Sequence, residues 1–211
     1  MTEYTWQPEW EILEKEEETM PTFEHGVICT NIILQIGNFI AHKNLGRVLD
    51  SSVEYRFLEK STTKRTQKPR FPDVTFIQQE RLPQNMRSYP EIAPDLVVEV
   101  VSPTDRDYEL EAKVKEYQKV GVKQVWVVHP FSRKIDLYHL ATGLKNQTYF
   151  NEEELDATEV IVGFKLKLSD IFDYPQPPDE DQSTTSLRPV YDQSTTSLRP
   201  AYLNNTSVID S

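Results

Sequence analysis

One strongly apolar run, Asp-Leu-Val-Val-Glu-Val-Val at residues 95–101, constrains the fold of this chain more than any other feature. β-Branched residues dominate it, and such a short apolar run is typical of a strand that is covered on both faces. Glu99 interrupts the run, and burying an ionised carboxylate without a partner costs so much free energy that its pKa shifts instead. The sequence therefore predicts a central buried strand and a partner for Glu99.

The helical pattern that follows this strand, over residues 105–120, offers that partner. Gly121 ends the pattern, as expected for a C-terminal helix cap. At about 100° per residue the helix presents one apolar stripe, formed by Leu110, Val114, Tyr117 and Val120. Lys113 falls within the stripe, so we expect its side chain to meet Glu99 at the end of the sheet. Such a pair could be a purely structural ion pair or part of an active site.

The remaining patterns predict an α/β fold. Apolar spacing indicates a first helix over residues 24–40 and a short closing turn of helix over residues 169–172. Strands are predicted over residues 47–49, 53–58, 71–77, 125–129, 134–140 and 160–168. The helix that follows the 95–101 strand allows this strand and the 125–129 strand to lie parallel through a right-handed crossover. We therefore expect a mixed β-sheet flanked by helices.

Asp73 is a third candidate for chemistry, since it follows Pro72 at the start of an apolar stretch. A Pro-Asp pair alone is also common in turns. Two carboxylates and a backbone carbonyl together form a hard oxygen site that suits Mg²⁺ or Mn²⁺, and a nearby lysine can hold or activate a water. Asp73, Glu99 and Lys113 thus match the needs of metal-assisted phosphodiester hydrolysis.

The net charge of -11 is distributed unevenly. Residues 1–20 contain seven acids and one base (-6), and residues 173–211 contain six acids and two bases (-4), which leaves -1 for the middle of the chain. Between residues 43 and 70, eight bases oppose three acids, a balance of +5. This stretch could attract a phosphate backbone or be an ordinary solvated surface. The candidate nucleic-acid contacts are Arg56, Lys64, Arg65, Lys68 and Arg70.

A length of 211 residues suits one domain. We predict an acidic N-terminal segment over residues 1–20, a domain over residues 21–173 and a disordered tail over residues 174–211. The tail carries Asp-Gln-Ser-Thr-Thr-Ser-Leu-Arg-Pro twice, eleven residues apart, with too few apolar side chains to offset the entropy of ordering. One cysteine, and no pattern typical of secretion or membrane insertion, predict a cytoplasmic protein.

Several of these segments together resemble the Uma-two family of bacterial restriction endonucleases. They are Arg-Phe-Pro-Asp-Val-Thr-Phe-Ile at residues 70–77, Ala-Pro-Asp-Leu-Val-Val-Glu-Val-Val-Ser-Pro at residues 93–103, Lys113, Tyr117, Gly121-Val122 and Val-Trp-Val-Val-His-Pro at residues 125–130. The resemblance runs from about residue 21 to Phe172. It implies a restriction-endonuclease-like fold and a Mg²⁺- or Mn²⁺-dependent DNA endonuclease of the PD-(D/E)-x-K kind.

The resemblance also implies roles for individual residues. Asp73 and Glu99 would bind the metal together with the backbone carbonyl of Val100. Lys113 would act from the helix, because the position two residues after the second acid, where the superfamily usually has its lysine, is Val101 here.

Other members of the superfamily carry a helix glutamate near the metal, so Glu24 is a further candidate ligand. An acidic residue in a first helical turn is also favoured by the helix dipole alone. His25 is similar to a histidine of the family, and His129 stands where relatives usually have an aspartate. Two hypotheses remain open: a DNA endonuclease, which could act as a homodimer, and a catalytically silent module that binds nucleic acid or protein.

Overall fold

The computed structural model describes residues 21–57, 69–103, 105–141, 143 and 145–175. One compact unit ends at Tyr174, and a second begins at Pro175. The predicted acidic segment and nearly all of the predicted tail lie outside the described residues. Within the described part of the chain, no helix combines the length and the apolar character needed to cross a lipid bilayer.

Three helices and eight strands make up the described domain. The helices are α1 (Phe23–Ile40), α2 (Asp107–Val120) and α3 (Leu168–Ile171). The strands are β1 (Gly46–Asp50), β2 (Val74–Gln78), β3 (Leu96–Val100), β4 (Gln124–His129), β5 (Lys134–His139), β6 (Lys145–Phe150), β7 (Glu154–Asp156) and β8 (Lys165–Lys167). A short 3-10 helix, Gln79–Arg81, follows β2.

The first six strands form one sheet in chain order, and β7 and β8 form a separate antiparallel pair. Within the large sheet, β3 and β4 are parallel and all other neighbours are antiparallel. The parallel pair is joined through α2, as the sequence predicted, because parallel neighbours require a crossover. The predicted mixed sheet with flanking helices is confirmed.

Helices α1 and α2 pack on opposite faces of the large sheet. On the face of the sheet that α1 covers, Ile28, Ile32 and Ile36 pack with alternate residues of β3 and β4. The α2 core includes the apolar stripe of α2 together with Val97 of β3. Every residue of β3 is therefore buried, as its apolar sequence around Glu99 predicted.

Helix α2 ends at the predicted position. Its C-cap, Gly121, has a left-handed backbone with φ 96°, and its N–H donates to the carbonyls of Tyr117 and Gln118. Glycine adopts this conformation without the Cβ clash that other residues meet. The end of α2 is thereby fixed, and so is the rotation that turns Lys113 toward the sheet.

Three predicted strands are wrong in extent, and that over residues 71–77 begins only at Val74. The described part of the 53–58 segment has a single bridge, Tyr55 with Arg70, and the N–H of Arg56 donates to Pro90 in an irregular segment instead. In the 160–168 segment only Lys165–Lys167 is a strand, because the preceding apolar residues turn back at Gly163, which has φ 76°. The sequence patterns also missed β6 and β7.

Gly46 at the start of β1 provides a test of the β1–β2 packing. Its φ is 149°, and an added Cβ would lie 2.1 Å from the carbonyl oxygen of Ile77 and 2.7 Å from the Phe76 ring. We expect Gly46→Ala to lower the free energy of unfolding by about 2 kcal/mol, measured by urea denaturation. Gly26→Ala is the control, since the described residues place no heavy atom within 4 Å of its added Cβ. It should be neutral or stabilising by up to about 1 kcal/mol, and equal effects of the two variants would contradict the packing.

Candidate active site

Glu99 lies near the carboxyl end of β3 with only 6% of its surface exposed. Both of its carboxylate oxygens have partners on α2. Lys113 Nζ lies 2.8 Å from Oε2, and the Tyr117 hydroxyl donates to Oε1 at 2.5 Å. Lys113 and Tyr117 are four residues apart and therefore lie on the same face of the helix. The contact between Lys113 and Glu99 was predicted from the position of Lys113 within the apolar stripe of α2.

This arrangement shifts the pKa values of all three groups. Burial raises the pKa of the Glu99 carboxyl above its ordinary value, and the positive charge of Lys113 opposes that shift. Burial would lower the pKa of Lys113, but the charge and hydrogen bond of Glu99 more than offset it, so that this pKa is raised. Burial also raises the pKa of Tyr117 well above its usual value. Lys113 thus stays protonated and Tyr117 stays a hydrogen-bond donor at neutral pH.

Asp73 joins this pair because it directly precedes β2, which runs antiparallel to β3 with Val74 opposite Val98. Asp73 therefore lies beside the carboxyl end of β3, where its Oδ2 accepts a hydrogen bond of 2.7 Å from the Val100 N–H. Its negative charge raises the pKa values of Glu99 and Lys113. Asp73, Glu99 and Lys113 thus meet at one end of the sheet, although they span 40 positions of the chain.

Helix α1 contributes His25 to the same place. His25 Nε2 lies 3.3 Å from Asp73 Oδ2, and His25 Nδ1 lies 3.6 Å from the Sγ of Cys29, one helical turn further on. The Thr22 side chain caps the helix by accepting from the His25 N–H at 3.2 Å. Hydrogen bonding to Asp73 raises the pKa of His25 to about 10, so the imidazole is a cation at neutral pH.

The structure places the other sequence candidates away from this cluster or in ion pairs. Glu24 Oε1 accepts a 2.7 Å hydrogen bond from the Tyr174 hydroxyl. Arg56 forms an ion pair of 2.6 Å with Glu54, and Arg70 forms one with Glu116. Lys64, Arg65 and Lys68 lie outside the described residues.

His129 forms an ion pair of 2.8 Å with Asp136 on the neighbouring strand. Burial is the main cause that lowers the pKa of His129. At the opposite end of β3, Asp95 is fully buried and pairs with Arg81 and Lys123. Asp95 thus lies among structural partners rather than in the Asp73–Glu99 cluster.

Two of these contacts were not predicted from the sequence. Tyr117 was counted only as an apolar stripe residue, although its position four residues after Lys113 is the signal that both contact Glu99. His25 was assigned no contact with Asp73. The available signal was the spacing of His25 and Cys29, since residues four apart on a helix share one face.

The residues at this end of the sheet fit a divalent cation chemically. Asp73 and Glu99 supply carboxylate oxygens, which are the ligands that Mg²⁺ and Mn²⁺ prefer. In addition, one potential ligand atom from each of His25, Cys29 and Asp73 lies within 4.8 Å of the others. The structure therefore contains a group of side chains that could hold a metal ion.

Tyr117→Phe tests the contact between α2 and Glu99. The variant keeps the buried ring and removes the hydroxyl that donates to Oε1, so one carboxylate oxygen loses its partner. Hydrogen bonds to charged groups contribute about 1.5–3 kcal/mol, and we expect a loss of stability of about 2 kcal/mol in urea denaturation. Tyr108→Phe, at an exposed position of the same helix, is the matched control. Equal stability of the two variants would contradict the contact.

The fold defines a class. A mixed sheet with a parallel βαβ unit and helices on both faces is the architecture of restriction-endonuclease-like proteins. The sequence matches the family described as "Uma2: Putative restriction endonuclease" over residues 6–169. The chain therefore belongs to the Uma2 family, and the resemblance drawn from its motifs is confirmed.

A solved structure is similar in fold. It is a protein from Anabaena variabilis ATCC 29413 described as a "putative nuclease belonging to DUF820", with a TM-score of 0.61 and 16% sequence identity. The similarity covers 74% of this chain and 83% of that chain. No curated protein matches the sequence. At this identity the solved structure supports the fold and carries no residue assignments.

Proposed function

We propose that this protein is a metal-dependent endonuclease that hydrolyses phosphodiester bonds in DNA. The observation that carries the proposal is the buried Glu99, paired at 2.8 Å with Lys113 and lying within the electrostatic reach of Asp73. Clusters of buried titratable groups with perturbed pKa values are concentrated at functional sites. Membership of the Uma2 family adds independent support.

In this proposal Asp73 and Glu99 hold the metal, Mg²⁺ or Mn²⁺, together with the backbone carbonyl of Val100. A bound divalent cation stabilises negative charge on a phosphate and lowers the pKa of a coordinated water. Lys113 orients the attacking water and balances the negative charge of the two carboxylates. Tyr117 holds Glu99 in place through its hydroxyl. Lys64, Arg65, Lys68 and the two paired arginines, Arg56 and Arg70, are the candidates for contact with the DNA backbone.

The test is cleavage of supercoiled plasmid and of a single-stranded oligonucleotide with Mg²⁺, Mn²⁺ or EDTA. The intact chain should cut in the presence of metal, and Asp73→Asn should reduce cutting by on the order of a hundredfold or more. Asp50→Asn is the control, because Asp50 is exposed and, among the described residues, its side chain bonds Ser52. If neither substrate is cut with any metal, the endonuclease proposal fails and a catalytically silent binding module becomes the better account.

A further inference from the structure

The contacts of His25 and Cys29 indicate which kind of metal ion this end of the sheet could bind. We infer that His25, Cys29 and Asp73 form a mixed nitrogen, sulfur and oxygen site that binds a transition-metal ion such as Zn²⁺ or Co²⁺ in preference to Mg²⁺. The inference rests on the proposed function in so far as both use Asp73, but it concerns binding and does not require cleavage.

The geometry of α1 brings the two softer donors together. His25 and Cys29 are four residues apart, so both side chains lie on the helix face that is turned toward the sheet. Two ligands with this spacing on one helix face are a known way to hold zinc. His25 is buried and Cys29 half-buried, and the Thr22 cap fixes the first turn of the helix. The pair is thus held in place before any ion binds.

Asp73 supplies the third donor from the loop before β2. Its Oδ2 lies 3.3 Å from His25 Nε2, and Cys29 Sγ lies 3.6 Å from His25 Nδ1. All three residues offer a ligand atom within 4.8 Å of the others. Ligand atoms around one tetrahedral ion with bonds of about 2.0–2.3 Å are somewhat closer together than that, so binding would draw the three donor atoms inward. Metal replaces the protons on the imidazole and the thiol, which are released to solvent.

The chemistry of the donors determines the selectivity. Mg²⁺ prefers oxygen ligands, whereas imidazole and thiolate suit zinc and other transition metals. Glu24 Oε1 accepts a hydrogen bond from the Tyr174 hydroxyl, and the α1 residues that approach Asp73 carry nitrogen and sulfur. This difference separates the site from an all-oxygen magnesium site.

The experiment titrates Co²⁺ into the metal-free full-length chain and records its absorption spectrum. A thiolate-to-cobalt charge-transfer band should appear in the near ultraviolet. The sequence has one cysteine, so the band can come only from Cys29. Cys29→Ser should remove the band, whereas Asp50→Asn should keep it, because the exposed Asp50 carboxylate bonds Ser52 and is not one of the three donors.

A second measurement uses the unmodified chain. Stoichiometric Zn²⁺ should slow alkylation of Cys29 by iodoacetamide at least tenfold, and Mg²⁺ at the same concentration should not. A missing cobalt band, or equal protection by Mg²⁺ and Zn²⁺, overturns the inference. A cobalt band in a protein that cuts no substrate refutes only the proposed endonuclease, and cutting without a cobalt band refutes only this inference.

Discussion

Replacing Lys113 with methionine is expected to lower metal-dependent cleavage by on the order of a hundredfold or more. Methionine keeps most of the side-chain volume and removes the charge that lies 2.8 Å from Glu99 Oε2. Two effects then combine. In the proposed endonuclease the attacking water would lose its positively charged neighbour, and the pKa of Glu99, already raised by burial, would rise further without the opposing charge. A protonated Glu99 is a weaker metal ligand.

The measurement is the initial rate of plasmid nicking at several pH values. Lys119→Met is the matched control, because Lys119 lies on the exposed face of the same helix and should leave the rate unchanged. Thermal melting of both variants checks that they fold. Nicking by a folded Lys113→Met variant at the rate of the unmodified chain would remove Lys113 from the mechanism.

The second large effect is expected on stability, at Asp95. Its side chain is fully buried and lies 2.6 Å from Arg81 Nη1 and 2.8 Å from Lys123 Nζ. Its Oδ2 also accepts from the backbone N–H of Gln78 at 2.9 Å. One carboxylate thus ties together the end of β2, the 3-10 helix and the start of β4.

Asp95→Asn should lower the free energy of unfolding by about 3 kcal/mol. Removing one member of a buried ion pair typically costs about 3–5 kcal/mol. The lower end applies because about a third of each of the Arg81 and Lys123 side chains stays in water. Glu111→Gln removes an exposed pair with Lys115 and should change stability by less than about 0.5 kcal/mol. Equal urea midpoints for the two variants would contradict the structural assignment of Asp95.

Much of the fold could be predicted because its central elements carry strong local patterns. The apolar run of β3 and the glycine-capped stripe of α2 each fix one element and the face that it buries. Their succession predicts the parallel pair. The approach of Lys113 to Glu99 followed from the same two patterns, since it depends only on helical rotation and on the position of Glu99 near the strand end.

The errors have equally local causes. β6, Lys145–Phe150, pairs with only one strand of the sheet and is largely polar, so its sequence lacks the alternation that indicates a half-buried strand. Val160, Ile161 and Phe164, before β8, are buried in a turn, and burial alone does not distinguish a turn from a strand. The contact between His25 and Asp73 joins residues 48 positions apart, and no local pattern encodes such a distance.

The position of Asp95 and Glu99 at opposite ends of β3 has a consequence for combined variants. Four residues of strand separate them by about 13 Å, and their partners are on different elements. Effects at sites further apart than about 10 Å usually add. A double variant of Asp95→Asn and Tyr117→Phe should therefore show a coupling free energy near zero. Stability can then be raised or lowered at the Asp95 end of β3 without altering the side-chain cluster around Glu99 at the other end.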